Sequence, residues 1–179
     1  TKNADNLHNL PSASVGSGSS LSINTNLGDL PVIGGALSGA TLRTGYSEND
    51  NSTVAKTDDV TELTAALNYA YGPLSFGVQK KYNNLGTTAA TTDSIFYKDT
   101  VIGVAYAVND SLSLSYNRYT SKRHNTTTGS NPEQETDAIN IGYTIGGMTI
   151  GFQDAQTDNA AYVLNAKDDT RTIGISVAF

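Results

Sequence analysis

Arg43, Glu62, Asn68, Gln79, Lys81, Asn117, Asn140 and Gln153 are the residues whose types and spacing could do chemistry, and that chemistry is non-covalent. Each falls in phase with Gly, Ala, Ser or Thr, inside a run whose alternate positions are apolar. Side chains along a strand leave on opposite faces with period two, so each run has one apolar and one small or polar face. Charged and amide groups spaced in this way can line an aqueous passage and bias what moves through it. Arg43 and Lys81 are the strongest candidates for cations inside such a passage, because a lysine or arginine facing lipid at mid-membrane costs about 2–4 kcal/mol. The alternative places them near a rim, against headgroups.

Covalent chemistry has little to work with. The chain has no Cys, which excludes thiolate metal sites, disulfides and thiol nucleophiles. His8 and His124 lie far apart in polar stretches, and no Ser/His/Asp set or pair of acids at a credible spacing accompanies them. We therefore expect no enzyme, no cofactor and no metal. Asp168-Asp169 leaves a calcium-like pair open, although such pairs in loops are more often solvated than ligating.

The elements that must position these residues read as nine strands, at about 18–27, 37–48, 60–71, 73–83, 97–108, 111–121, 137–145, 147–156 and 169–179. Alternation is clearest in four of them, one being 147–156, where Met148, Ile150 and Phe152 oppose Thr149, Gly151 and Gln153. Ile102, Val104 and Tyr106 oppose Gly103, Ala105 and Ala107; Leu112, Leu114 and Tyr116 oppose Ser113, Ser115 and Asn117; Ile139, Ile141, Tyr143 and Ile145 oppose Asn140, Gly142 and Thr144. Lys80 falls on the apolar side of its run, which predicts a bulge there or a side chain that snorkels. Turn signals at Gly34-Gly35, Gly72-Pro73, Asn109-Asp110 and Gly146-Gly147 recur about every 37 residues, the kind of fixed interval that marks a repeated unit. Long stretches rich in Thr, Asn, Asp and Gly fall at the other strand ends, at about 49–59, 84–96, 122–136 and 157–168. Connections sorted into short at one end and long at the other are a habit of outer-membrane barrels. Aromatic residues gather at two heights, Tyr69, Tyr71, Tyr106, Tyr143 and Phe179 by the turns and Tyr46, Tyr82, Tyr97 and Tyr119 by the loops. Rings at two levels match interfacial girdles, against the plainer reading that Tyr favours strands.

Composition agrees with a barrel. Of 179 residues 37% are hydrophobic and 16% charged, and the mean hydropathy is −0.31. No run of 18 apolar residues exists, which excludes a membrane-spanning helix but not strands that hide their apolar content at alternate positions. A net charge of −6 argues against nucleic acid as partner. Acids at Glu48, Asp50, Asp58, Asp59, Asp93, Glu133, Glu135, Asp137, Asp158, Asp168 and Asp169 read either as a ring attracting cations to an external mouth or as ordinary solvated loops. The sequence begins at Thr1 with neither an initiator Met nor a signal peptide, so we expect a processed form or a fragment.

The stretches Gly174-Ile175-Ser176-Val177-Ala178-Phe179, Val101-Ile102-Gly103-Val104-Ala105-Tyr106 and Asp110-Ser111-Leu112-Ser113-Leu114-Ser115-Tyr116 together resemble the Gram-negative general porins, most of all those of alphaproteobacteria. The resemblance spans about residues 18–179 and rests on pattern more than on an invariant motif. It implies an all-β, antiparallel transmembrane barrel, trimeric and 16-stranded, through which small solutes and ions diffuse passively across the outer membrane. It also implies that Ile173, Ile175, Val177 and Phe179 form the signal read by the barrel-assembly machinery, and that outer-membrane lipid and lipopolysaccharide surround the barrel. Sixteen strands need on the order of 300 residues, so the chain is expected to be the carboxy-terminal part of such a barrel, 18–179 forming strands and 1–17 a polar loop. The constriction loop of the family would then lie outside it. The alternative is a small eight-stranded barrel from 37 to 179 with a structural or adhesive role. Its narrow interior would be underfilled by inward residues this small.

Overall fold

A strand that alternates apolar with small or polar residues must cover its apolar face with another layer or another phase. The computed structural model describes residues 18–31, 34–50, 59–85, 94–125 and 132–178. Within them the chain makes β1 (Gly18–Asn26), β2 (Ala40–Asn49), β3 (Val60–Tyr71), β4 (Leu74–Asn84), β5 (Ser94–Ala107), β6 (Leu112–Asn125), β7 (Gln134–Ile145), β8 (Met148–Asp158) and β9 (Lys167–Val177), with three short 3-10 segments. The nine strands form one antiparallel sheet in sequence order, each paired with its neighbours along the chain. The sheet is open: β1 and β9 are its edges and do not pair with one another.

Three hairpins close as expected. Gly72 and Gly146 take φ of 55° and 57°, the left-handed region that glycine reaches without steric cost. The Asn109 side-chain oxygen accepts the N–H groups of Ser111 and Leu112, both at 2.9 Å, an Asx turn. The fourth differs. Gly34-Gly35 is not a two-residue hairpin turn; it belongs to a 3-10 segment, Gly34–Leu37, inside a longer connection from β1 to β2. The residue that swings the chain into β2 is Gly39, at φ 86°, where a Cβ would sit 2.3 Å from the Ala70 carbonyl oxygen. Residues 1–17 and Phe179 lie outside the described residues.

Pairing is continuous along β4, from Leu74 to Asn84 against both neighbours, so no bulge shifts Lys80. It points to the apolar face. The register irregularity in the sheet lies between Ser94 and Phe96. Among the described residues no second sheet covers either face. Among the described residues the buried apolar side chains are only Ala40 and Ala138, whereas Leu21, Ile173 and Ile175 are 63%, 72% and 66% exposed.

The apolar face is graded by height. Going from the turn end towards the loop end, the last apolar residue before polar ones is Leu63 on β3, Val78 on β4, Ile102 on β5, Tyr116 on β6, Ile139 on β7, Phe152 on β8 and Ile173 on β9. Ile173 shares a cross-strand row with Phe152, Ile141, Leu114, Tyr106, Leu74 and Tyr71. From Leu63 to Tyr71 is about eight residues, so the upper edge of the apolar stripe falls by about that much over the six strand steps from β3 to β9. With a rise of about 3.3 Å per residue and about 4.8 Å between strands, the slope is about 40° to the cross-strand direction.

Candidate functional site

All eight polar residues singled out from the sequence lie on one face. Arg43 and Gln79 share one cross-strand row through Ala66, Asn68 and Asn117 share another through Gly77 and Gly103, and Asn140 stands opposite Gln153. Glu62 and Lys81 come from facing strands and meet in an ion pair at 3.0 Å. Asn140 donates to the Asn117 side-chain oxygen at 3.1 Å and to Ser115 Oγ at 3.3 Å, while Gln79 donates to Thr64 Oγ1 at 3.3 Å. Arg43 makes no ion pair among the described residues and is exposed. Two concavities open on this face. One, of about 700 Å³, takes in Arg43, Asn68, Gln79 and Asn117; the other, of about 380 Å³, takes in Asn140 and Gln153.

A second group on the same face was not found from the sequence. Asp99 of β5 accepts hydrogen bonds from Ser121 Oγ at 2.6 Å and the Tyr119 hydroxyl at 3.1 Å, both from β6. Above them lies the connection from β8 to β9. Asn159, Ala161, Tyr162 and Asn165 all take positive φ there, and the backbone so curled carries Tyr162 back across the sheet. Its hydroxyl lies 2.7 Å from Ser121 Oγ, its ring lies 5.8 Å from that of Tyr97, and the Arg123 guanidinium sits 4.8 Å from the ring centroid. Asn159 donates to the Glu133 carbonyl at 2.8 Å and Gln134 accepts from the Ala161 N–H at 2.9 Å, pinning the segment to β7. Ser121 is fully buried beneath it. Burial pushes the Tyr162 phenol up from its ordinary value, and the Asp99 charge adds to the shift. Tyr97 and Tyr119, expected in an outward girdle, are on the polar face as part of this group; Tyr46 and Tyr82 do face the apolar side.

Among the described residues several of the acids are paired rather than free. Glu48, Glu135, Asp137, Asp158 and Asp169 belong to strands and leave on the apolar side, above its stripe. Several are neutralised there: Arg118 holds Asp137 at 2.7 Å and Glu135 at 3.5 Å, Lys122 holds Glu133 at 2.7 Å, and Lys167 holds Asp158 at 3.2 Å. Asp58 and Asp93 lie outside the described residues, as does His8; His124 is in β6 rather than a loop. Asp168 and Asp169 are consecutive in β9, so their side chains leave on opposite faces and do not converge on one ion. Among the described residues no three His, Asp or Glu side chains are gathered as metal ligands. Ile173, Ile175 and Val177 share the apolar face of edge strand β9. No family model, curated protein or solved structure matches this chain.

Proposed function

We propose that the nine strands are part of a transmembrane β-barrel of a bacterial outer membrane, and that the barrel is a porin passing small hydrophilic solutes and ions by diffusion. The observation that carries the reading is the oblique apolar stripe, backed by a face of small and polar side chains. Strands of such barrels lean about 35–45° from the barrel axis, so a level bilayer crosses them at that slope. The stripe's slope of about 40° is what a level hydrocarbon layer requires of tilted strands. A soluble sandwich would instead cover its apolar face with a second sheet. On this reading Arg43, Glu62, Asn68, Gln79, Lys81, Asn117, Asn140 and Gln153 line the lumen. The segment around Tyr162 narrows it near the loop end.

The open edges at β1 and β9 and the odd strand count favour a wider barrel closed by further strands, sixteen in the family the sequence resembles, assembled as a trimer. All nine residues of β1 pair with β2, which weighs against an eight-stranded barrel with residues 1–36 as an appendage. At the other edge, Ile173, Ile175, Val177 and Phe179 would present the assembly signal.

The test is conductance. Purified natural protein, folded in detergent and added to a planar bilayer, should give discrete steps that scale with salt concentration. Folded, inserted protein without steps would overturn the pore and leave the barrel. A protein that stays monodisperse without detergent would overturn the membrane reading itself.

A further inference from the structure

On the apolar face, at the upper edge of the stripe, β4, β5 and β6 carry a patch that a pore does not use. Lys80, Lys98 and Lys122 project there, all exposed. Lys98 and Lys122 stand directly opposite one another, and Lys80 lies on the adjoining strand one step nearer the stripe. Elsewhere on this face each cation has a carboxylate: Arg118 has Asp137, Lys167 has Asp158 and Arg171 has Asp154. Lys122 has Glu133. Lys80 and Lys98 have none among the described residues, although like charges set opposite each other across strands are destabilising. Beside them is an aromatic floor. Phe96 stacks on His124 with centroids 4.3 Å apart, Tyr82 lies 5.3 Å from Phe96, and Lys98 Nζ lies 5.2 Å from the Phe96 centroid.

We propose that this patch binds the phosphate-bearing headgroup of an anionic membrane lipid. Lys80 and Lys98 contact the phosphate, Tyr82 beside Lys98 and Phe96 one step above it lie against the headgroup carbons, and the acyl chains run down the apolar stripe below Lys80. The inference rests on the membrane reading, which puts the upper edge of the stripe at headgroup height. Charge complementarity selects the occupant: two uncompensated cations just above an apolar surface call for an anion attached to an apolar tail.

The test uses the full natural protein in neutral detergent, titrated with a diphosphorylated glucosamine lipid and, separately, with a phosphocholine lipid, binding being read by native mass spectrometry. Wild type should prefer the phosphorylated glucosamine lipid, and the preference should weaken with salt. Near a charged surface each lysine contributes enough that Lys98→Gln should weaken binding about fivefold and the double variant Lys80→Gln/Lys98→Gln about thirtyfold. Lys80→Arg/Lys98→Arg should retain binding, and so should Arg171→Gln, whose cation is already paired. Equal binding of the two lipids by wild type, or unchanged binding by Lys98→Gln, would overturn the proposal. Conductance of the same samples separates the two ideas: lipid binding without conductance overturns only the pore, and conductance without lipid preference overturns only the patch.

Discussion

Replacing Ile141 by lysine asks which phase the apolar face meets. Ile141 is central in the apolar run of β7, with Leu114 and Phe152 on either side in the same cross-strand row, and 38% of its surface is exposed beyond the sheet. If lipid covers that surface, placing a lysine at mid-membrane costs about 2–4 kcal/mol. Withdrawing the roughly 70 Å² of isoleucine surface that lipid had covered adds about 1.5–2 kcal/mol at 25 cal/mol per Å². The total of about 4–6 kcal/mol should lower the urea midpoint by about 2–3 M for an unfolding slope near 2 kcal/mol per M. The partner variant is Gln153→Lys, next to Phe152 along β8 but on the polar face. An ammonium there stays in water, and the change should stay within about 0.5 kcal/mol. Urea unfolding of both variants in lipid vesicles, followed by tyrosine fluorescence, gives the comparison. Two variants that agree within about 1 kcal/mol would refute the assignment of faces, because a sheet wet on both sides lets either lysine reach solvent.

Four further outcomes follow from geometry already described. Tyr162→Phe removes the hydrogen bond to Ser121, worth about 1 kcal/mol, and should release the folded-over segment about fivefold more often, read as shorter-lived low-conductance states in single-channel records. Because burial raises the Tyr162 pKa, the neutral phenol is the form that holds the segment in place. Its contribution is complete below the ordinary tyrosine value of about 10 and is lost as pH rises through the folded value, so wild-type low-conductance states should vanish in alkali while Tyr162→Phe has no such step. Glu62→Gln strips Lys81 of its partner and should shift reversal potentials towards anions; Lys81→Gln should shift them towards cations, and identical shifts would remove both residues from the permeation path. Gly39→Ala sets a Cβ against the Ala70 carbonyl at positive φ and should lower stability by about 2 kcal/mol in the same urea assay, with no change in conductance per open channel.

The strands were legible because the alternation of apolar with small or polar residues holds unbroken over many positions, which makes the period of two strong. The strands extend beyond the sequence-based estimate where that contrast ends. Around Thr120-Ser121-Lys122-Arg123-His124 both faces are polar, and pairing rather than patterning keeps β6 extended. The Gly34-Gly35 reading failed for a local reason. The dipeptide satisfies a hairpin turn, but the apolar alternation stops at Asn26 and resumes only after Gly39, too far apart for two residues to bridge. The eight polar-face residues were found because each inherits its direction from its own strand. The Tyr162 group was not, because it joins β5, β6 and the β8–β9 connection across 41 residues of sequence. A left-handed alanine and tyrosine give no compositional hint of that path. Four non-glycine residues at positive φ within seven positions are visible only in the folded chain.

The strictly sequential strand order has an evolutionary side. Each strand meets only its neighbours along the chain, so one hairpin of about 37 residues is a unit that can be duplicated or lost without rewiring the rest. Gene-level gain or loss of one hairpin would change the width of the sheet by two strands, about 10 Å measured across them. In the proposed barrel that change would resize the aperture by counting hairpins, leaving each hairpin's own sequence under ordinary local constraint.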